Sequence, residues 1–225
     1  MHSPDVSLAA IAVACPRVIP LFEELHLDYC CGGGKSLAVA CQEQGLDVAE
    51  VLGRIKLCDS SEPASAPRVT NAKNLIDHIV SVHHAFTRTS IAMLRPLMAK
   101  VLLAHGGAHP ELAEIARLVN ALCDDLEPHL LKEEQVLFPA LCVLENGGVP
   151  TWGMSVAHPI GRMTDEHVAV GTLLQDLNRR TRGYRAPDAA CASWRALYRG
   201  CADLEHDLHQ HIHLENNVLF PRFLP

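Results

Sequence analysis

Two stretches of this chain read almost as copies of each other. His129-Leu130-Leu131-Lys132-Glu133-Glu134-Gln135-Val136-Leu137-Phe138-Pro139 and His211-Ile212-His213-Leu214-Glu215-Asn216-Asn217-Val218-Leu219-Phe220-Pro221 both carry His-x-x-x-Glu followed by Val-Leu-Phe-Pro, 82 positions apart. A four-residue spacing puts His and Glu one turn apart on the same helix face, so both reach toward one point. That face is otherwise apolar. Leu122, Leu126 and Leu137 share it with His129 and Glu133, and Leu204, Leu208 and Leu219 share it with His211 and Glu215. A buried carboxylate is costly unless it is paired or bound to a metal. Two of them, each with an imidazole, constrain the chain to helices that carry a metal-ligating stripe into a common core.

The repeat extends upstream. His84 and His167 lie 83 positions apart, and His167 shares a stripe with Ile160, Met163, Val170 and Leu174, so it points inward. At the first of these positions the residues leave a choice. Helical periodicity favours His83, which shares a face with Ile76, Ile79, Val80 and Phe86, whereas the repeat offset favours His84. His105 lies about 30 Å from His84 along a straight helix. It reaches the same point only if the chain folds back after Pro96. His78, His109 and His158 read as capping or surface residues, and His206, His209 and His213 fall on polar faces. Fourteen His in 225 residues exceed what packing or solubility needs.

The sequence around these motifs is helical. Leu, Ala and Glu dominate, and Gly and Pro fall into clusters. The pattern predicts a first helix from a cap at Asn71 toward Leu103, kinked at Pro96. A second runs from Pro110 to Gly147-Gly148, bent at Pro128 and Pro139. A third runs from Pro159 to Arg182-Gly183, and a fourth from Pro187 to Phe223. Four long helices with short connections predict an all-α, up-down four-helix bundle. A Pro- and Ser-rich stretch at 59–68 reads as a linker. It divides a small helical unit (1–58) from the bundle (69–225). All candidate ligands follow it, so the bundle is expected to hold its metal without residues 1–58.

The donors decide the metal. A nitrogen-and-oxygen set without thiolate argues against structural zinc and against an iron–sulfur cluster. Its His content favours iron over magnesium or calcium. Paired carboxylates on facing helices can bridge two metals. The expectation is a non-haem centre of two iron ions, with Glu133 and Glu215 as bridges and about two His per iron; manganese or zinc would also fit these donors. Open positions would remain for a small ligand such as nitric oxide, dioxygen or water.

Composition removes other classes. A net charge of −7 without a basic stripe argues against nucleic acid, and 4% aromatic residues leave little for base stacking. No apolar run approaches the roughly 20 residues of a membrane span. The early run Leu8–Cys15 has no Lys or Arg before it, so it does not read as a secretion signal. Nine scattered Cys suggest the reducing cytoplasm and not a disulfide framework.

The N-terminal unit carries Asp28-Tyr29-Cys30-Cys31-Gly32-Gly33-Gly34-Lys35. Its Gly run predicts a tight turn with a helix starting near Lys35. Thiols at a helix N-terminus are acidified, and Lys35 would add positive charge. Adjacent Cys residues do not easily close an unstrained disulfide. Cys30 and Cys31 therefore read as a reactive pair, suited to exchange with a partner or to binding iron. Cys15, Cys41, Cys58, Cys123, Cys142, Cys191 and Cys201 have no spacing that signals a site.

In combination these motifs resemble the hemerythrin-like superfamily. Over the whole chain they resemble the RIC or ScdA-like family of di-iron proteins for repair of iron–sulfur clusters. The likeness rests on Cys30-Cys31-Gly32-Gly33, Lys132-Glu133-Glu134-Gln135 and Leu214-Glu215-Asn216-Asn217-Val218-Leu219-Phe220-Pro221. It implies a hemerythrin-like bundle with His84, His129, Glu133, His167, His211 and Glu215 as iron ligands, and supporting roles for Asp125 and Glu166. It also implies a stress-response role in restoring clusters damaged by nitric oxide or oxidants, with damaged iron–sulfur proteins as partners. A homodimer is compatible with it. Two other readings stand beside repair: a module that binds nitric oxide and lowers its free level, and a nitric oxide reductase.

Overall fold

The structure, a computed structural model, describes residues 3–59, 71–151 and 155–224. From residue 60 on, the expected linker lies outside the described residues. Apart from one isolated bridge between Ser7 and Ser36, the regular structure of the described residues is helical. They pack as two units. One gathers the residues up to Asn71 with those from His209 onward, and the other is Ala72–Leu208. The division drawn from the sequence puts residues 209–225 with the bundle instead.

The first unit holds α1 (Leu8–Ala14), α2 (Ile19–Glu24), α3 (Leu37–Gln44) and α4 (Val48–Asp59). Ser7 and Ser36 cap α1 and α3, each accepting from a backbone N–H three residues on. Gly45 ends α3 in the left-handed region at φ 69°, where a side chain is disfavoured. Leu8, Ile11, Phe22, Leu37 and Ile55 are at the centre of its core.

The second unit starts with α5 (Ala72–His78), a π turn (Ile79–His84) and α6 (Ala85–His105) as one helical arm. The next arm is α7 (Glu111–Lys132), a π turn (Glu133–Leu137) and α8 (Phe138–Glu145). Then come α9 (Ala157–Arg180) and α10 (Ala192–His213). α6 packs on α7, and α7 on α9. The carboxylate of Glu145 accepts from the N–H groups of Ala72 and Lys73 and so caps α5 from the far end of the second arm. These long helices form the all-α bundle that the sequence predicts.

Pro96 and Pro128, where a kink and a bend are expected, do not end their helices; α6 and α7 continue through them. Both prolines face solvent, where water can satisfy the carbonyl left without a donor. Pro139 falls in the first turn of α8, directly after a π turn. The fourth helix starts at Ala192, later than Pro187. Among the described residues no helix is long and apolar enough to cross a membrane.

Candidate metal centre

The candidate ligand stripe of the Ala72–Leu208 unit runs through its two π turns. A π turn winds one extra residue into a helix and shifts the phase of the downstream residues by about 100°. Plain periodicity fails at such a place, which is why it singles out His83. Both neighbours are buried, His83 at 5% and His84 at 0% exposure, but they serve different partners. His83 Nδ1 pairs with Asp207 at 2.9 Å. His84 Nε2 lies 3.4 Å from Glu133 Oε2.

Two more imidazoles meet the same carboxylate. His129 Nε2 is 3.3 Å from Glu133 Oε1, and His167 Nε2 is 3.9 Å from that oxygen. The two ring nitrogens are 3.1 Å apart. One donor atom each from His129, Glu133 and His167 lies within 4.8 Å of the others. Glu133 is fully buried.

The far side of each ring is also held. His84 Nδ1 bonds Glu134 at 2.7 Å, and His129 Nδ1 bonds Glu166 at 2.9 Å. With Nδ1–H donating outward, each Nε2 turns its lone pair toward Glu133. Imidazoles held by outer carboxylates, with inward lone pairs around a carboxylate, form a set of acceptors that a cation satisfies. The donors fit a hard or borderline metal such as iron.

Arg88 holds Glu134 through two contacts of 2.9 Å, and Lys132 holds Glu166 at 2.5 Å. Partial burial raises the pKa of both carboxyls. The bonds from Arg88 and His84, and from Lys132 and His129, outweigh it and hold both below the usual range. They stay ionised at neutral pH, as orientation of an imidazole N–H requires. Periodicity puts Glu134 on a solvated face; its hold on His84 is a role the sequence does not announce. The helical phase change at Glu133 hides it. Of the two residues for which the resemblance implies a supporting role, Glu166 bonds His129 and Asp125 is exposed.

In the other unit, His211 Nε2 and Glu215 Oε1 lie 3.0 Å apart, both fully buried. Glu215 sits in a third π turn, Leu214–Leu219. His213, expected on a polar face, is buried at 2% exposure. The Tyr29 ring packs on it at 5.2 Å, and Asn217 Nδ2 donates to its Nδ1 at 3.0 Å. Burial lowers its pKa. His209 is half-buried and bonds Glu23 at 3.0 Å. No local pattern could announce either contact, because the cover comes from residues nearly 200 positions away.

His105 ends α6, which does not fold back. It sits a full helix from His84, with Nε2 3.2 Å from Cys191 Sγ.

The vicinal thiols lie in a turn and not at a helix start, since α3 begins at Leu37. Asp28 Oδ1 accepts from the backbone N–H groups of Cys30 and Cys31 and from the Cys30 thiol. Cys30 is buried, with its sulfur 3.7 Å from that of Cys31. The bond to Cys31, burial and the charge of Asp28 push the Cys30 pKa well up, opposite to the expected acidification. Lys35 pairs with Glu43 instead of the thiols. A Cβ on Gly33 would meet the Tyr29 carbonyl at 2.4 Å and Ala9 at 2.9 Å, so glycine lets this turn close against α1.

Comparison with known proteins agrees with this geometry. Residues 74–223 match the hemerythrin HHE cation binding domain, and residues 4–58 match the ScdA N-terminal domain, a domain of unknown function. The iron–sulfur cluster repair protein YtfE of Musicola paradisiaca (strain Ech703) is 36% identical over 225 residues, which cover 100% of this chain and 98% of that protein. Its namesake from Yersinia pseudotuberculosis (serotype O:1b, strain IP 31758) is 36% identical over 226 residues, with 100% and 99% covered. A full-length likeness at this identity, carrying both domains and a buried His–Glu cluster, means that the chain belongs to the hemerythrin-like family of di-iron, iron–sulfur cluster repair proteins.

Proposed function

We propose that His84, His129, Glu133, His167, His211 and Glu215 together hold two iron ions, with Glu133 and Glu215 as the bridges. The observation that carries this reading is the meeting of three imidazole Nε2 atoms around the buried Glu133. His211 and Glu215 join them on the strength of the duplicated motif and of the hemerythrin match, which spans all six. Bound there, iron supplies a redox-active centre able to accept a small ligand such as nitric oxide or dioxygen. The chain's own part is to turn Nε2 groups inward, to bury Glu133 and Glu215 away from water, and to fix ring orientation through Glu134 and Glu166. In this reading the protein restores damaged iron–sulfur clusters in the cytoplasm, where reducing conditions keep its cysteines free. Metal analysis of protein produced with ample iron should find two irons per chain; a lone zinc would overturn the reading.

The outer carboxylates give a graded test. Loss of such a partner typically weakens metal binding about 10–100-fold. Glu134→Ala and Glu166→Ala should each show a drop of that order in chelator competition, with helicity unchanged. Unaltered affinity in both would remove their orienting role.

The thiols test the repair reading separately. Replacing Cys30 and Cys31 by Ala should leave iron content intact and slow the recovery of a damaged cluster enzyme in cells. Full recovery would reduce the pair to packing residues.

A further inference from the structure

His105 stands too far along its helix to join the iron ligands and Cys191 carries no spacing signal, yet the fold brings them together. Both belong to the Ala72–Leu208 unit. Cys191 directly precedes α10 and so lies at that helix's N-terminus. His105 Nε2 lies 3.2 Å from the Cys191 sulfur. The buried Trp194 packs against the His105 ring at 5.2 Å and the His109 ring at 4.8 Å, which fixes the imidazole over the thiol. Of the nine cysteines, Cys191 is the exposed one; Cys31, Cys58 and Cys142 are half-buried and the others buried. A full helix separates this pair from His84, about 30 Å at 1.5 Å per residue.

We propose that Cys191 and His105 form a surface thiol-exchange site, distinct from the metal centre, that reacts with small disulfides such as oxidised glutathione. The helix N-terminus and the imidazole both favour the thiolate, the nucleophilic form. They lower the Cys191 pKa to about 7, whereas burial and neighbours raise those of Cys30, Cys41, Cys123, Cys142 and Cys201. The Cys191 thiolate attacks one sulfur of the disulfide. A new S–S bond forms, the old one breaks, and the leaving thiolate takes the electron pair and the proton held by His105. The products are a mixed disulfide on Cys191 and one free thiol. The small disulfide is the oxidant, so nothing else is consumed.

At pH 7 a thiol with a pKa near 7 is about 15-fold richer in thiolate than one at 8.5, and its lower basicity takes back about fivefold in intrinsic reactivity. The net gain is about threefold over an ordinary exposed thiol. The test treats the full-length, iron-loaded protein with oxidised glutathione at pH 7 and maps the modified peptides by mass spectrometry. The first adduct should fall on Cys191. Its alkylation should show a midpoint near 7, and His105→Asn should raise that midpoint and slow adduct formation by less than about threefold, because the helix N-terminus remains. Cys191→Ser should remove the adduct and keep the iron. A first adduct on Cys31, an alkylation midpoint near 8.5 in the unaltered protein, or a midpoint unmoved by His105→Asn would each overturn the proposal.

Discussion

Replacing Glu133 by leucine should strip the protein of iron while leaving its helices standing. Glu133 is fully buried and three imidazoles meet around its two oxygens, so leucine removes the charge on which they converge. Without the carboxylate, the iron content should fall to one or fewer per chain. The metal-free protein should respond in the opposite sense. A buried carboxylate among imidazoles is expensive to desolvate, and apolar replacement of a buried ionic group is often neutral or stabilising by about 1–4 kcal/mol. For a chain of this size each kcal/mol moves the melting point by about 2–4 °C. The metal-free Glu133→Leu protein should therefore melt at or above the metal-free parent. Glu215→Leu, equally buried, should behave in the same way. Iron analysis and thermal melting decide it: full occupancy in both variants would place the bridges elsewhere.

A chain that begins near Pro67 should fold less stably and retain iron poorly. The order of motifs along the sequence predicts that the bundle alone suffices. The contacts of the first unit predict otherwise: Asn217 Nδ2 donates to the carbonyls of Tyr29 and Cys30 at 3.2 and 3.4 Å. Tyr29 also packs on His213, and Glu23 bonds His209. These residues flank His211 and Glu215. Two hydrogen bonds at about 1 kcal/mol each, an aromatic contact of about 0.5–1.5 kcal/mol and a partly exposed ion pair worth under about 1 kcal/mol suggest a loss of about 3 kcal/mol. That corresponds to a melting point lower by about 6–12 °C. The truncated protein should also release iron to a chelator faster than the full chain. Equal stability and equal retention would show that the bundle is self-sufficient.

These two cases mark where the sequence is informative. The stripes through Leu122, Leu126, His129 and Glu133, and through Leu204, Leu208, His211 and Glu215, are legible because four-residue spacing on a regular helix maps directly onto one face. Every one of those residues is buried. His167 is legible for the same reason. The hidden features involve a change of helical phase or a distant partner. The π turn at 79–84 makes His83 look like the core residue. The π turn at 133–137 makes Glu134 look solvated. His213 and the Cys191–His105 pair depend on contacts across 86 or more positions, which periodicity does not sense. The two motif copies also diverge immediately after the shared Glu. Glu134 bonds the His84 ring, whereas Asn216 and Asn217 grip the backbone of the Cys-Cys turn.

The π turns also bear on how such a protein can change over time. A helix without them would lock the orientation of every ligand to the packing of every apolar residue above and below it, since one rotation governs all. An extra residue wound in at 79–84, 133–137 and 214–219 separates the two demands. On either side of each turn the apolar stripe can drift to suit its own neighbours, and the side chain at the turn keeps its direction. The core beside each turn can then be repacked without re-aiming His84, Glu133 or Glu215.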